Sequence, residues 1–480
     1  MVPWVLLTKT GIAAALAVAA AVIGVVCVTP AETATFTVNS SSDAPDANPG
    51  DGVCASSAGA CTLRAAIEEA NALAGKDTIN IPAGIYTVTS RIQIKDSVDL
   101  LGESASTTII SGGSAQPIFQ VMPRGTGPGP TVTVQRLTLR DGNAAFPDSG
   151  AALWNGEGAT TTLSDSIVSD NQSNTYGGGI SNWGKLQIIR SEIRNNSLPT
   201  ILGGGGVTSQ GGGIFNSGEL EIACSAVAEN VASRGGGISN VNNGLVKIKN
   251  STISSNRVLG GGGGIRNAGN GRVFIASSTV TLNRGNEPNS ESEPSRTGSG
   301  IQNLSPAGVW IGSTILAGNT DNRQSGQADF SPDCFSDSAG AFRTMRANLF
   351  GVINNRCQLI DAISGSNTSF DLKGTDVMPL DPKLDPVAAG VPRTHALQVG
   401  SPAIDRNTTT ANSAFFACES VDQRGSPRPI DGDGDGQALC DIGAYERQVT
   451  QSAVDIAACD RLNFELPPSR PSPPSNPVIR

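Results

Sequence analysis

The chain has 480 residues and a net charge of −9; 58 residues are glycine, and charged residues make up only 16 %. Glycine exceeds its usual share of about 7 % and charged residues fall below their usual ~25 %, which favours tight backbone bends over charged helical surfaces. The acidic balance leaves no basic surface for phosphates, so nucleic acid is not an expected partner, and hydrophobic residues at 38 % argue against a disordered chain.

The N-terminal segment predicts export. Lys9 precedes 18 uncharged, mostly apolar residues from Gly11 to Val28, and small residues follow up to Ala31. This order is typical of a secretory signal peptide, so we expect residues 1–31 to be removed after Ala31. The alternative is an uncleaved N-terminal anchor, which would be the chain's expected membrane contact. A lipidated Cys27 is disfavoured because Val25 and Val26 precede it, where small residues are expected.

Residues 32–75 are predicted to form a cap over the first coil of a repeat structure. The segment that begins at Cys61 has the 3.6-residue periodicity of one amphipathic helix, and Gly75 would stop it. The apolar face consists of Leu63, Ala66, Ile67, Ala70 and Leu73. A stack of strands needs such a lid because open strand edges pair with other chains.

Residues 76–330 contain an internal repeat. The sequence GGGISN, which ends at Asn182, recurs in close variants that end at positions 216, 240, 267 and 303, at intervals of 34, 24, 27 and 36 residues. Between the copies, strand-like alternation places two apolar residues on one face, as in the pairs Leu186/Ile188, Leu220/Ile222, Val246/Ile248 and Val273/Ile275. A coil of about 24 residues accommodates three short strands and their turns.

Two other repeat architectures are excluded, one by the composition of this unit and the other by its length. Clustered glycines would cost a helical repeat about 1 kcal/mol each, and a propeller blade needs about 40 residues or more. The repeat therefore predicts an all-β fold, a single-stranded right-handed parallel β-helix with an N-terminal capping helix.

The recurrent asparagines are interpreted as structural. Equivalent residues of successive coils lie about 4.8 Å apart, so stacked side-chain amides can hydrogen-bond along the axis. We expect such a ladder at Asn155, Asn182, Asn216, Asn240, Asn267 and Asn303. Glycines are expected to provide the positive φ or the close packing that the corners require.

Motifs at both ends resemble known exported bacterial families. Cys61, Leu63 and Arg64 resemble the CSLREA domain, and the sequences THALQVGSPAID, DQRGSPRP, DGDGDG and CDIGAYE within residues 331–447 resemble the choice-of-anchor Q module. The repeats are similar to those of polymorphic outer-membrane proteins, several of which are adhesins. The resemblance implies a pectate-lyase-like parallel β-helix, C-terminal coils with a cap, and no particular activity. Residues 448–480, rich in Pro and Ser, are expected to be disordered.

Eight cysteines remain after removal of the signal peptide, and an exported chain can oxidise them. Proximity in sequence favours the pairs Cys54–Cys61, Cys334–Cys357 and Cys418–Cys440. Cys224 is in phase with a strand and is expected to be a buried, reduced residue, whereas Cys459 is expected to be unpaired.

The acidic loop near the C-terminus is a candidate calcium site. Asp431, Asp433 and Asp435 occupy alternate positions, as in the first half of an EF-hand loop. The twelfth position is Ile442 and not glutamate, so Asp441 would have to serve as the remaining ligand. The prediction is a structural calcium ion; the alternative is a solvated acidic turn.

Function is the least determined property. Acidic residues of the repeat recur at no fixed phase, aromatic residues are few, and the single histidine, His395, has no recognisable nucleophile nearby. The sequence therefore favours a non-enzymatic secreted or cell-surface protein, adhesive or structural, that binds glycans or cell surfaces. Variable insertions at 198–210 and 285–297 would present the ligand-binding loops. The alternative is a polysaccharide lyase or glycoside hydrolase that acts on acidic polysaccharide.

Overall fold

The computed structural model describes residues 33–125, 127–199, 209–258, 260–285, 298–321, 333–337, 342–345, 347–362, 370–388, 392–407, 414–449 and 454–466. The predicted signal peptide, the centres of both variable insertions and residues 467–480 of the predicted tail lie outside these ranges. No helix in the described part has the length and apolar character needed to cross a membrane.

Three long parallel sheets run along the stack of coils in the described residues. Sheet 1 has twelve strands: Thr35–Thr37, Asp77–Ile81, Val98–Gly102, Thr131–Gln135, Thr160–Ser164, Lys185–Ile189, Glu219–Ala223, Leu245–Lys249, Arg272–Ala276, Val309–Gly312, Phe342–Thr344 and Leu359–Asp361. Sheet 2 has eleven: Gly84–Thr87, Thr108–Ser111, Thr138–Arg140, Ile167–Ser169, Glu192–Arg194, Ala226–Ala228, Thr252–Ser254, Thr279–Thr281, Ile315–Leu316, Leu349–Phe350 and Leu372–Lys373.

Sheet 3 has nine strands: Ile92–Ile94, Phe119–Val121, Leu153–Asn155, Ile180–Asn182, Ile214–Asn216, Ile238–Asn240, Ile265–Asn267, Ile301–Asn303 and Cys334–Ser336. Two short parallel ribbons lie between sheets 2 and 3, one formed by Asn143–Ala144 and Gln172–Ser173, the other by Val231–Ala232, Arg257–Val258, Arg284–Gly285 and Thr320–Asp321. Each coil passes through sheet 3, sheet 1 and sheet 2 in turn, which confirms the predicted parallel β-helix.

The interior is a continuous apolar column. In sheet 1, Leu186, Leu220 and Val246 are in register with one another, and Ile188 is in register with Ile222. All of these side chains are fully buried. The alternation that marked the strands in the sequence is thus the alternation between core and surface.

The N-terminal cap contains the predicted helix, Leu63–Ala72. The Thr62 hydroxyl oxygen accepts a hydrogen bond from the Ala65 N–H at 3.0 Å and so caps the first turn. Arg64 donates two hydrogen bonds to Asp43, at 2.9 and 2.8 Å, and a third to the Ser90 carbonyl at 2.7 Å. The helix is therefore tied to the preceding loop and to the first coils.

Glycine provides the positive φ at the corner that precedes sheet 3, where Gly177, Gly211, Gly235 and Gly262 have φ between 61° and 77°, but other residues provide it at the turn from sheet 1 to sheet 2. The turn from sheet 1 to sheet 2 has a residue with φ between 45° and 55° in eight coils: Arg136, Asp165, Arg190, Cys224, Asn250, Ser277, Ser313 and Ala347. The strain is tolerated because the stack fixes the backbone: the N–H groups of Asp165 and Arg190, for example, donate to carbonyls of the next coil.

The four disulfides correct the cysteine assignment. Three of them join Cys54 to Cys61, Cys334 to Cys357 and Cys418 to Cys440. The fourth joins Cys224 to Cys459, so the predictions of a reduced Cys224 and an unpaired Cys459 are wrong. Cys224 occupies the αL corner, from which its side chain faces away from the interior and towards the C-terminal segment.

The C-terminal segment covers the side of the stack instead of extending it beyond Lys373. We call residues 414–449 and 454–466 the side cover; it includes the short 3-10 helices Ala414–Phe416 and Ile456–Arg461. Lys249, which is fully buried, is ion-paired with Glu419. The Asn250 side chain donates to the Val421 carbonyl at 2.7 Å. The predicted C-terminal coils are thus limited to the strands up to Lys373, and the remainder packs laterally.

Candidate functional site

The asparagines at the ends of the sheet 3 strands form one hydrogen-bonded ladder. Each side-chain Nδ2 donates to the Oδ1 of the next asparagine at 2.7–2.8 Å, through Asn155, Asn182, Asn216, Asn240, Asn267 and Asn303. All six are fully buried. These amides are occupied by one another, which leaves them no capacity to bind an external ligand.

A second ladder was not predicted. It follows sheet 2, with Nδ2 to Oδ1 distances of 2.9–3.0 Å along Asn171, Asn196, Asn230, Asn256, Asn283 and Asn319. Its last member donates to the Asp333 carboxylate at 2.9 Å. These asparagines are visible in the repeat, but only the fold shows that they stack and that an aspartate accepts the final hydrogen bond.

The glycine clusters serve this second ladder. A Cβ atom on the third glycine of each GGGI motif would lie 2.9–3.0 Å from the side-chain amide of a ladder asparagine, at Gly179, Gly213, Gly237 and Gly264. At Gly213, Gly237 and Gly264 the same Cβ would lie closer still, 2.6–2.8 Å, to the carbonyl oxygen of the equivalent glycine in the next coil. Glycine therefore recurs here because both the ladder amides and the neighbouring backbone pack against it.

A third ladder consists of hydroxyl residues that directly precede the sheet 2 strands of six successive coils. The backbone N–H of one residue donates to the side-chain oxygen of the next, at 3.1–3.4 Å, along Ser166, Ser191, Ser225, Ser251, Ser278 and Thr314. Thr314 donates to Asn348, and Asn348 donates to Asp371. This ladder also ends on a carboxylate.

The acidic side chains on the outer face of sheet 1 are neutralised by lysine. Glu219 and Glu221 lie on neighbouring positions of one face, and Lys247 Nζ lies 2.6 Å from Glu219 and 3.0 Å from Glu221. The Lys247 ammonium lowers the pKa of Glu219 although burial opposes this. A carboxylate whose pKa is lowered, as that of Glu219 is, is poorly suited to act as a general acid.

Acidic residues at the corners are also ion-paired. Asp165 bonds Arg190 through both carboxylate oxygens, and Arg190 also reaches Asp460 of the side cover. Glu192 and Glu229 both contact Arg393. Asp165, Glu192, Glu219, Glu221 and Glu229 thus all have ion pairs, whereas Asp170 has none among the described residues. These residues do not converge on one cleft in the described part of the molecule.

The acidic loop forms a candidate cation site, with a ligand set that differs from the predicted one. Oxygens of Asp405, Asp431 and Asp433 all lie within 4.8 Å of one another. Asp435 is exposed and accepts from the Gln437 N–H, while Asp441 is fully buried and accepts from the Asp405 and Arg447 N–H groups. Asp405, 26 positions before Asp431 in the sequence, takes the place that Asp435 and Asp441 were expected to fill.

Two of the candidate ligands, Asp405 and Asp433, border an open pocket of about 720 Å³. Burial raises the pKa of Asp405, and the nearby Asp433 charge adds to this effect. Three carboxylates at this separation repel one another, and a hard divalent cation such as calcium favours such oxygen ligands. The donor set therefore fits calcium.

Asp441 and Glu446 form the buried support beneath this loop. Glu446 accepts hydrogen bonds from the Ile430 and Asp441 N–H groups, both at 2.9 Å, and lies 3.3 Å from Arg428. Burial raises the pKa of both carboxyl groups. Their hydrogen bonds go to the loop backbone, which indicates a structural role.

His395 is a buried residue of the C-terminal region. Its Nδ1 lies 2.9 Å from the Asp385 carbonyl oxygen, which orients the ring, and burial lowers its pKa. Its Nε2 has no hydrogen-bond partner within the described residues. No described serine or cysteine is hydrogen-bonded to this ring, so the structure gives it no nucleophile to activate.

No family model and no curated protein matches the sequence. The solved structures that match include a pectate lyase and a pectin methylesterase. Pectate lyase Pel9A is 14 % identical with a TM-score of 0.43, over 87 % of this chain and 98 % of that chain. The deglycosylated pectin methylesterase from Aspergillus niger is 11 % identical with a TM-score of 0.24, over 71 % and 95 %. Likenesses this distant say nothing about activity, and the CSLREA and choice-of-anchor Q resemblances stay predictions.

Proposed function

We propose that this protein is an exported, non-enzymatic β-helix rod that binds glycans or cell surfaces through its lateral faces. The observation that carries the proposal is the ion pairing of the stack's acidic side chains. Lys247 is ion-paired with Glu219 and Glu221, and Arg190 is ion-paired with Asp165. Lyases and hydrolases of acidic polysaccharides need carboxylates that converge on substrate or exchange protons with it.

Two further features support an extracellular, structural role. Four disulfides are typical of proteins that function in oxidising compartments. The repeated polar side chains hydrogen-bond to one another in the internal ladders, so the repeats stabilise the stack of coils. We also propose that calcium binds Asp405, Asp431 and Asp433 and stiffens the C-terminal loop.

The test compares turnover with binding in the same preparation. Purified protein is incubated with polygalacturonate, methylated pectin and alginate, with and without calcium, and both new reducing ends and unsaturated products are measured. A known pectate lyase serves as positive control, and labelled protein is applied to a glycan array and to whole cells. We expect binding without product. Product that scales with protein and disappears in Glu221→Gln would overturn the proposal.

A further inference from the structure

Four aromatic side chains lie along sheet 3, and we call them the aromatic patch: Trp154, Tyr176, Trp183 and Phe215. The rings of Tyr176 and Trp183 contact that of Phe215, and Trp154 lies on the same face two strands away. Trp154, Ser181 and Phe215 are in register on three successive strands. Because strands of neighbouring coils lie about 4.8 Å apart, the patch extends ~10 Å along the axis, about the length of two pyranose rings.

The rings hold one another in place. Phe215 is only 3 % exposed, and the ring centroids of Tyr176 and Trp183 lie 4.6 and 5.4 Å from its own. Trp183 is 37 % exposed, and its Nε1 donates to the Ser181 hydroxyl at 3.2 Å. The ring of Trp154 lies so close to Gly156 that a Cβ there would be 2.6 Å from it. The surface is therefore rigid before any ligand arrives.

The patch also offers hydrogen-bonding groups that the protein does not use. The Tyr176 hydroxyl and the Trp154 Nε1 have no hydrogen-bond partner among the described residues, and neither is a buried, unsatisfied atom. Amphipathic rings with accessible polar edges suit a ligand that has both an apolar face and hydroxyl groups. The sugar ring has this combination, since its C–H face can stack on an indole while its hydroxyls meet the polar edges.

The stack itself does not require aromatic residues here. The equivalent outward position is Gln120 in the preceding coil and Ser239 and Arg266 in later coils. Trp154 and Trp183, two of the chain's four tryptophans, nevertheless lie in consecutive coils. The insertion at 198–210 also returns to the stack here, since Gln210 pairs with Tyr176.

We propose that the aromatic patch binds an uncharged glycan chain, lying along the axis of the rod. None of its four side chains is charged, so it complements a neutral hexose or pentose polymer and not a uronate. The inference rests on the proposed binding function and names the ligand class and its location.

The test measures affinity for cellohexaose, xylohexaose, chitohexaose and hexagalacturonate by calorimetry and by tryptophan fluorescence, using the full chain. Trp183→Ala should weaken binding of a neutral hexaose at least tenfold, since a tryptophan of this kind dominates a small interface. Tyr176→Phe, which removes only the hydroxyl, should weaken it about fivefold. Phe370→Ala, an aromatic residue 68 % exposed on the last coil, is the matched control and should leave affinity unchanged. Unchanged circular dichroism and melting temperature establish that each variant is folded.

The outcomes separate this inference from the proposed function. If the native protein and Trp183→Ala bind a neutral hexaose equally, or if only the uronate is bound, the proposed glycan site at the aromatic patch is wrong. The proposed binding function of the protein is not contradicted by either result. Adsorption to neutral phosphatidylcholine vesicles without binding of any hexaose also overturns it. Hydrolysis of a bound hexaose would overturn the non-enzymatic proposal and leave the patch in place.

Discussion

Replacing Asn230 with aspartate tests whether the second ladder has a direction. In the native protein Asn230 Nδ2 donates to the Ile193 carbonyl and to Asn256 Oδ1, both at 2.9 Å. Its Oδ1 accepts from the Asn196 N–H and Nδ2, both at 3.0 Å. Asn230→Asp keeps both acceptor contacts and removes both donors, because an ionised carboxylate has no hydrogen to give.

The expected loss is large because the site is fully buried. Asn256 Oδ1 keeps the hydrogen bond from the Asn230 backbone N–H at 3.0 Å. A lost hydrogen bond costs about 0.5–1.5 kcal/mol, so the two lost side-chain bonds should lower the free energy of unfolding by about 1–3 kcal/mol, before the cost of a buried charge is added. A domain of ordinary stability has about 5–15 kcal/mol in total. In acid the variant carboxyl gains one O–H donor, so its deficit should shrink as pH falls.

Guanidinium unfolding followed by circular dichroism measures this loss, at neutral and at acidic pH. Asn243→Asp is the matched control: it makes the same chemical change on an exposed turn, where Asn243 only accepts a 3.3 Å bond from Asn270. We expect the control to change stability by no more than about 0.5 kcal/mol. A deficit below about 1 kcal/mol for Asn230→Asp, or one that does not depend on pH, would refute a directional ladder.

Three other predictions concern the side cover, the acidic loop and the ladder end. Replacing both Cys224 and Cys459 with serine opens a link that spans 235 positions and should cost about 5 kcal/mol by loop-closure entropy; an unchanged guanidinium midpoint would contradict this. Calcium should give binding heat with the native chain and none with Asp433→Ala, and no heat with the native chain would exclude the site. Burial raises the pKa of Asp333 to about 7, so the folded protein keeps a proton that the unfolded chain loses. The free energy of unfolding should then fall as pH rises from about 4 to about 7, and Asp333→Asn should flatten this part of the profile; equal slopes would refute it.

The repetitive part of the fold could be predicted because each coil repeats the same local requirements. Leu186 and Ile188 mark one strand by alternation, and the same pair in the following coils fixes the register. Asn182 and its equivalents recur at one position for the same reason. Where one residue contacts its own counterpart in the next coil, periodicity in the sequence is direct information about contacts.

Contacts without counterparts could not be predicted in this way. Cys224 pairs with Cys459 because the side cover folds back across the stack, and nothing in the spacing of the two cysteines indicates this. Asp405 joins the acidic loop through tertiary packing, whereas Asp441 is buried beneath the site and accepts a hydrogen bond from the Asp405 N–H. Ion pairs such as Arg393 with Glu229 likewise depend on how the C-terminal region lies against the coils.

The ladders that end on Asp333 and Asp371 have a consequence for how such rods change length. Every internal coil receives the hydrogen bonds of one neighbour and gives the same set to the other, so a duplicated coil inserted between Asn171 and Asn319 would leave no donor or acceptor unmatched. Loss of Asp333 or Asp371 would instead leave Asn319 or Asn348, respectively, without the carboxylate that accepts its hydrogen bond. Recombination between repeats can therefore lengthen or shorten the interior freely, while the two ends must be inherited intact.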